Sequence, residues 1–203
     1  LVPLHDQTLA AGSNITLAAP FLARPAPTFQ WQRNSVALAG QTNATLAITN
    51  LSTTNAGAYR VLLTNASATT TSAAAQFKLS QTVTFPEITP REFNFGTTFT
   101  LDASASSGLP IVYASSNTDV ATVSGNTVTI NDVGTTTITA LQAGDATYGS
   151  ASQAREFTVT KRAIALTLGS LTHVFDGSAK AATVTLNPDV PATVNFTYNG
   201  NAS

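Results

Sequence analysis

The sequence predicts an all-β chain built from small sandwiches in series, and three observations carry that prediction. Apolar and polar residues alternate in short runs that recur about every 8 to 12 residues, with Gly, Pro, Asn, Asp and Ser between them. Helical periodicity is almost absent. The most helix-compatible stretch, residues 66–75, is rich in Thr and Ser, lacks a large apolar face, and reads as a strand with a loop. Hydrophobic residues make up 43% of the chain against 9% charged, so it can bury enough apolar surface to fold.

Up to about residue 80, strands are predicted at 15–19, 29–33, 44–49, 58–65 and 73–79, with a turn signal between successive runs. Within this stretch Leu46, Ile48 and Leu51 are followed by Asn55-Ala56-Gly57-Ala58-Tyr59, and Trp31 lies twelve residues after Ala19. This pattern resembles an immunoglobulin-like domain of the intermediate type, with its Leu-x-Ile-x-x-Leu run, Asp-Ala-Gly-x-Tyr corner and core Trp packed on a disulfide. Asn55 replaces the Asp, and Ala19 and Val61 stand where the two Cys would be. The resemblance implies a core of Trp31, Tyr59, Ala19, Val61 and Leu51, with the Tyr59 hydroxyl bonded to backbone. Packing then has to replace a bridge ordinarily contributing ~2–4 kcal/mol.

From about 81 to 160, strands are predicted at 81–85, 97–103, 111–115, 120–123, 127–130, 135–141 and 156–160. Ser124-Gly125-Asn126 predicts a tight hairpin in which Gly and Asn both take positive φ. Ser106-Ser107-Gly108-Leu109-Pro110, Ser115-Ser116-Asn117, Val120-Ala121-Thr122-Val123 and Gly144-Asp145-Ala146-Thr147-Tyr148 resemble the bacterial Ig-like repeats of large surface and secreted proteins.

Beyond Lys161, strands are predicted at 163–168, 171–175, 182–186 and 194–198, with a turn at Asp176-Gly177-Ser178. Phe175-Asp176-Gly177-Ser178-Ala179-Lys180, Ala182-Thr183-Val184-Thr185 and Thr197-Tyr198-Asn199-Gly200 resemble the start of the mostly-β, glycine-containing (MBG) repeats of bacterial exoproteins. That family's repeats run to roughly twice this length, so the third module is expected to be incomplete, with open strand edges. The expected division is therefore 1–80, 81–160 and 161–203. No long Gly, Ser or Pro linker separates these modules, which predicts restricted orientations and an elongated rod.

Composition narrows the function classes. Nine Lys plus Arg balance ten Asp plus Glu, a formal charge of −1 with no basic cluster, which argues against nucleic acid and anionic membrane as partners. No apolar run approaches the length of a bilayer span. The chain has no Cys, hence no thiol nucleophile and no Cys-ligated metal. About a third of the residues are Ala or Thr, and the chain begins at Leu1 without Met or signal peptide. Together these suit a piece of a longer bacterial protein, secreted or at the cell surface.

The residues that could do chemistry are thinly spread. His173 and Asp176 lie three apart beside Ser170 and Ser178, but positions three apart on one strand and turn cannot assemble a triad. His5 and Asp6 fare no better. Glu87 and Glu92 flank Pro90 in a predicted loop without the clustered Trp and Tyr of a sugar cleft, and read as solubilising charges. Asn131, Asp132 and Asp145 lack the spacing of a calcium loop, and the acids are expected to avoid both module junctions. Lys78, Lys161 and Lys180 are the candidates for a pilin-type Lys–Asn crosslink. Sequons occur at Asn14, Asn43, Asn50, Asn65, Asn195 and Asn201; in a bacterial protein they are expected to be unmodified.

The sequence thus predicts no enzyme, metal or cofactor, but a spacer or scaffold whose partners are neighbouring domains of the same polypeptide. The alternative is a module binding a cell-surface protein or glycan through loops at the sandwich ends. Candidate loops are 104–110 and the Pro-rich 20–28, which carries Phe21, Leu22 and Arg24.

Overall fold

A computed structural model describes residues 4–19, 25–170, 174, 176–177, 183–187, 197–198 and 201–202. All regular structure among them is β, and the chain divides into two compact units, Leu1–Val159 and Thr160–Ser203. The first unit contains two tandem β-sandwiches with separate buried cores.

The first sandwich comprises β1 (Gln7–Leu9), β2 (Ile15–Ala18), β3 (Thr28–Arg33), β4 (Val36–Ala37), β5 (Thr45–Ile48), β6 (Gly57–Thr64), β7 (Thr69–Thr71) and β8 (Ala75–Leu79). One sheet runs β1-β8-β6-β3-β4, and β2 pairs separately with β5. Strand β1 joins β8 in parallel, with Gln7 opposite Phe77. Both β7 and β8 line β6; at the break between them the Ser72 amide donates to the Val61 carbonyl, and the Val61 amide donates to Ser72 Oγ. Two-residue periodicity sends Tyr59, Val61 and Leu63 of β6, Ala75, Phe77 and Leu79 of β8, and Leu46 and Ile48 of β5 into one core with Trp31. Strand β4 escapes prediction because it is two residues long. The loop leading into it, Asn34-Ser35, has φ of +48° and +68°, the pattern of a type I′ hairpin turn.

The second sandwich comprises β9 (Val83–Thr84), β10 (Arg91–Glu92), β11 (Thr98–Thr100), β12 (Ser104–Ala105), β13 (Val112–Ser115), β14 (Ala121–Ser124), β15 (Thr127–Ile130), β16 (Gly134–Gln142) and β17 (Ala151–Thr160). Its sheets are β10-β17-β16-β13, β11-β15-β14 and β12-β9. The β16–β17 ladder runs from Gly134 opposite Val159 to Gln142 opposite Ala151, so β17 begins five residues before the predicted 156–160. The hairpin of β14 and β15 turns on Gly125-Asn126 with Ser124 opposite Thr127. Only Gly125 has positive φ, +59°, which corrects the expectation that Asn126 shares it: a glycine-first turn needs one such residue. The two-residue strands β10 and β12 also escape prediction.

In the second unit β18 (Ala165–Gly169) pairs antiparallel with β19 (Thr183–Asn187), and β20 (Thr197–Tyr198) with β21 (Asn201–Ala202). Of the predicted strands at 171–175 and 194–198, only Val174 and residues 197–198 lie within the described residues.

Candidate functional site

Trp31 and Val61 face each other across β3 and β6, and both are fully buried, as is Leu51. The Trp31 indole N–H donates to the Asn43 carbonyl at 2.9 Å, so the ring is buried without an orphaned donor. Ala19 follows the end of β2 and is half-buried against this core, whereas Leu17, two residues earlier on the same face, is fully buried. Leu17, a position the sequence reading did not single out, therefore supplies the larger apolar side chain from β2.

Tyr59 forms the corner of the first sandwich. Its hydroxyl donates to the Asn55 carbonyl at 2.6 Å, while Asn55 Oδ1 accepts the Ser52 amide at 2.6 Å. Asn in place of Asp keeps the acceptor that this turn needs. Arg33 donates to the Thr54 carbonyl beside it. Burial pushes the Tyr59 phenol above its ordinary pKa, with Arg33 pulling weakly the other way. The phenol stays neutral at physiological pH and serves as a donor.

Glu87 pairs with Arg155 at 2.7 Å, and Arg155 Nε also donates to the Phe85 carbonyl. Glu92 is exposed on β10. A cleft of about 170 Å³ lies against Glu87, Ile88, Arg91, Phe99 and Asp102. Arg91 stacks over Phe99, 4.2 Å from the ring centroid, and Phe99 packs edgewise on Phe157 at 5.1 Å, so the ring that could receive a sugar face is engaged internally. Among the described residues no group of three His, Asp or Glu side chains could hold a metal ion. Asn131 donates to the Thr118 carbonyl and Asp132 accepts the Val133 amide, both as turn chemistry. His5 and Lys161 are exposed, while Lys78 is half-buried on the outward face of β8. His173, Ser178, Lys180 and Asn195 lie outside the described residues, as do Pro20, Phe21, Leu22, Ala23 and Arg24 of the 20–28 loop. No helix among the described residues is long and apolar enough to cross a membrane.

A further set of polar contacts lies where the two sandwiches meet. The Leu79 amide, at the end of β8, donates to the Thr147 carbonyl at 2.8 Å, and the Leu79 carbonyl accepts the Gly149 amide at 2.9 Å. These bonds make a parallel bridge between Leu79 and Tyr148, and Tyr148 packs against the core of the first sandwich. Gln76 of β8 donates to the Ala146 carbonyl. Asp145 Oδ1 accepts the amides of Thr147 and Tyr148, each at 2.7 Å, which holds its carboxyl below the usual range. Asp6 accepts the Gln76 amide at 2.7 Å. The acids therefore do not all avoid this junction: Asp145 sits in it as a backbone acceptor, while Asp6 bonds within the first sandwich. Gln81, in the link between the sandwiches, donates to Gln142 Oε1 and to the Gly149 carbonyl and accepts from Ser107 Oγ. Sequence reading recognised Gly144-Asp145-Ala146-Thr147-Tyr148 as a signature, but missed Thr8, Gln76, Leu79, Gln81 and Gln142 as its partners.

The family described as the MBG domain matches residues 164–203, within the stretch whose sequence resembles it. No curated protein sequence matches the chain. Among solved structures it is similar to Dpr2 Ig1–Ig2 in complex with DIP-Theta, at 18% identity over 75% of this chain and 61% of that one, with a TM-score of 0.36. It is also similar to the N-terminal eight Ig domains of Down Syndrome Cell Adhesion Molecule, at 17% identity over 81% and 23%, TM-score 0.43. The I-band fragment I67–I69 of titin aligns over 98% of this chain and 78% of that one at 14% identity, TM-score 0.39. The chain spans 61% and 44% of the first two structures it matches.

Proposed function

We propose that this chain is a non-catalytic extracellular run of three modules, at 1–80, 81–160 and 161–203, acting as a spacer or scaffold within a large exported bacterial protein. The observation that supports this best is the junction, where the 144–149 loop is bonded to Leu79 and Gln76 of the first sandwich while the Gln81 link is bonded to Gln142, Gly149 and Ser107 of the second. Interdomain interfaces within a chain default to relative motion unless something restrains them. Residues spent on restraint suit a part whose output is length and orientation. The match to the MBG domain at 164–203 fits the exported setting that the sequence resemblance implies. In this reading the first module is an intermediate-type Ig-like domain that has dispensed with its disulfide.

A binding role is the second reading, and one observation favours it. Val112 and Leu141 are opposite each other on β13 and β16, both exposed, and Val112 follows the 104–110 loop by two residues. This pair is an apolar contact point for a surface protein or glycan. Screening the folded chain on glycan and matrix-protein arrays separates the readings. Absence of saturable binding supports the spacer. A hit weakened by substitutions at Val112, Leu141 or the 104–110 loop, with stability unchanged, replaces it with the binder.

A further inference from the structure

We propose that the loop of residues 144–149 is a docking element, that the base of the first sandwich at Thr8, Gln76 and Leu79 is its socket, and that the two sandwiches consequently fold and melt as one cooperative unit. This goes beyond the spacer reading and holds whether or not the chain also binds a partner.

The argument starts from strand β8. Its last residue has both backbone groups occupied by the second sandwich, through the bonds to Thr147 and Gly149. Undocking would leave that N–H and C=O without these partners and uncover the Tyr148 face of a core in which Leu79 and Phe77 are otherwise buried. The loop arrives preshaped. Gly144 has a φ of +79°, and a Cβ there would meet the Tyr148 carbonyl oxygen at 2.5 Å; Asp145 ties the next turn through two amides. Gly149 is a steric fit to the socket, because an added Cβ would lie 2.6 Å from Thr8 Cγ2 and 2.9 Å from its Oγ1. Gln142, 5% exposed, uses one side-chain oxygen to accept from both Gln81 and the Gly144 amide. The socket, the link and the loop therefore form one connected network.

The test uses the full chain and its sole tryptophan, which is buried in the first core and reports that sandwich alone. Ile138→Val trims the second core, where Ile138 is fully buried. If the unit is cooperative, the Trp31 fluorescence midpoint falls by about 2–4 °C together with loss of hydrogen-exchange protection on β16. A Trp31 midpoint that stays put while β16 loses protection overturns the proposal. A second experiment crosses the junction. Gly149→Ala lowers the Trp31 midpoint, and Thr8→Ala in the same chain restores most of the loss, because it removes the two closest atoms and leaves only Thr8 Cβ at 3.4 Å. An unrelieved Gly149→Ala, or one without effect on Trp31, likewise overturns it.

Discussion

The first sandwich gathers its core around one large side chain, Trp31, with Phe77 edge-on to Tyr59 at 5.6 Å, and closes its polar bonds at a peripheral corner of Asn55, Ser52 and Tyr59. The second has no tryptophan. It spreads the same burden over Phe85, Phe99 and Phe157 and places a polar hub inside: buried Thr136, whose hydroxyl meets Ser115 Oγ at 2.8 Å and accepts the Asn117 amide at 3.0 Å. The first also takes Tyr148 from its neighbour. Two cores without a disulfide are thus reached by opposite distributions, one concentrated and partly completed from outside, the other dispersed and internally pinned.

The sharpest way to break that contrast is Trp31→Ala. Truncating so large a fully buried residue costs about 3–5 kcal/mol, seen by chemical denaturation followed by circular dichroism. Among the substitutions discussed it should be the most damaging, and a loss under about 1 kcal/mol would show that the first core does not hang on this ring. Next in size is Thr136→Val. It is nearly isosteric, but strands the Asn117 amide and a partner of the Ser115 hydroxyl, so a loss of about 1–3 kcal/mol is expected. A stabilised variant would mean that the hub is dispensable.

The first core was partly legible in the sequence: Trp31, Leu51, Tyr59 and Val61 are buried where the motif implies, but Ala19 is half-buried and Leu17 went unnamed, while for the second sandwich alternation gave strands and no core residues. The hub was half legible: Ser115-Ser116-Asn117 stood out as a phrase, yet its partner Thr136 is one threonine among many, distinguished only by facing inward on β16. The early half of β17 was invisible because Ala-Ser-Gln-Ala-Arg carries no large apolar residue, and its strand character comes from pairing with β16. The junction was least legible. Tyr148 and Leu79 are adjacent in space but far apart in the chain, and nothing in either segment names the other.

A smaller effect probes the corner. Asn55→Ala removes the acceptor for the Ser52 amide and should cost about 1 kcal/mol, whereas Asn55→Asp keeps an oxygen there and should be close to neutral by the same thermal melt. Equal losses would mean that the side-chain acceptor does not matter, and that the corner rests on the Tyr59 hydroxyl alone.

The finest comparison is between the junction and everything else that titrates in acid. Asp145 is fully exposed, but the amides of Tyr148 and Thr147 favour its charged form and lower its pKa from the ordinary 3.8. The stability it lends is present above that value and is lost as pH falls through the lower, folded one. Asp145→Asn retains an oxygen acceptor but no charge. The Trp31 midpoint of the wild-type chain should therefore lie slightly above that of the variant at neutral pH, with the two converging below the ordinary carboxylate range. Should the variant show the same acid drop as the wild type, the loss does not belong to Asp145. Convergence, by contrast, assigns part of the first sandwich's acid sensitivity to a residue of the second, which an uncoupled pair of modules could not show.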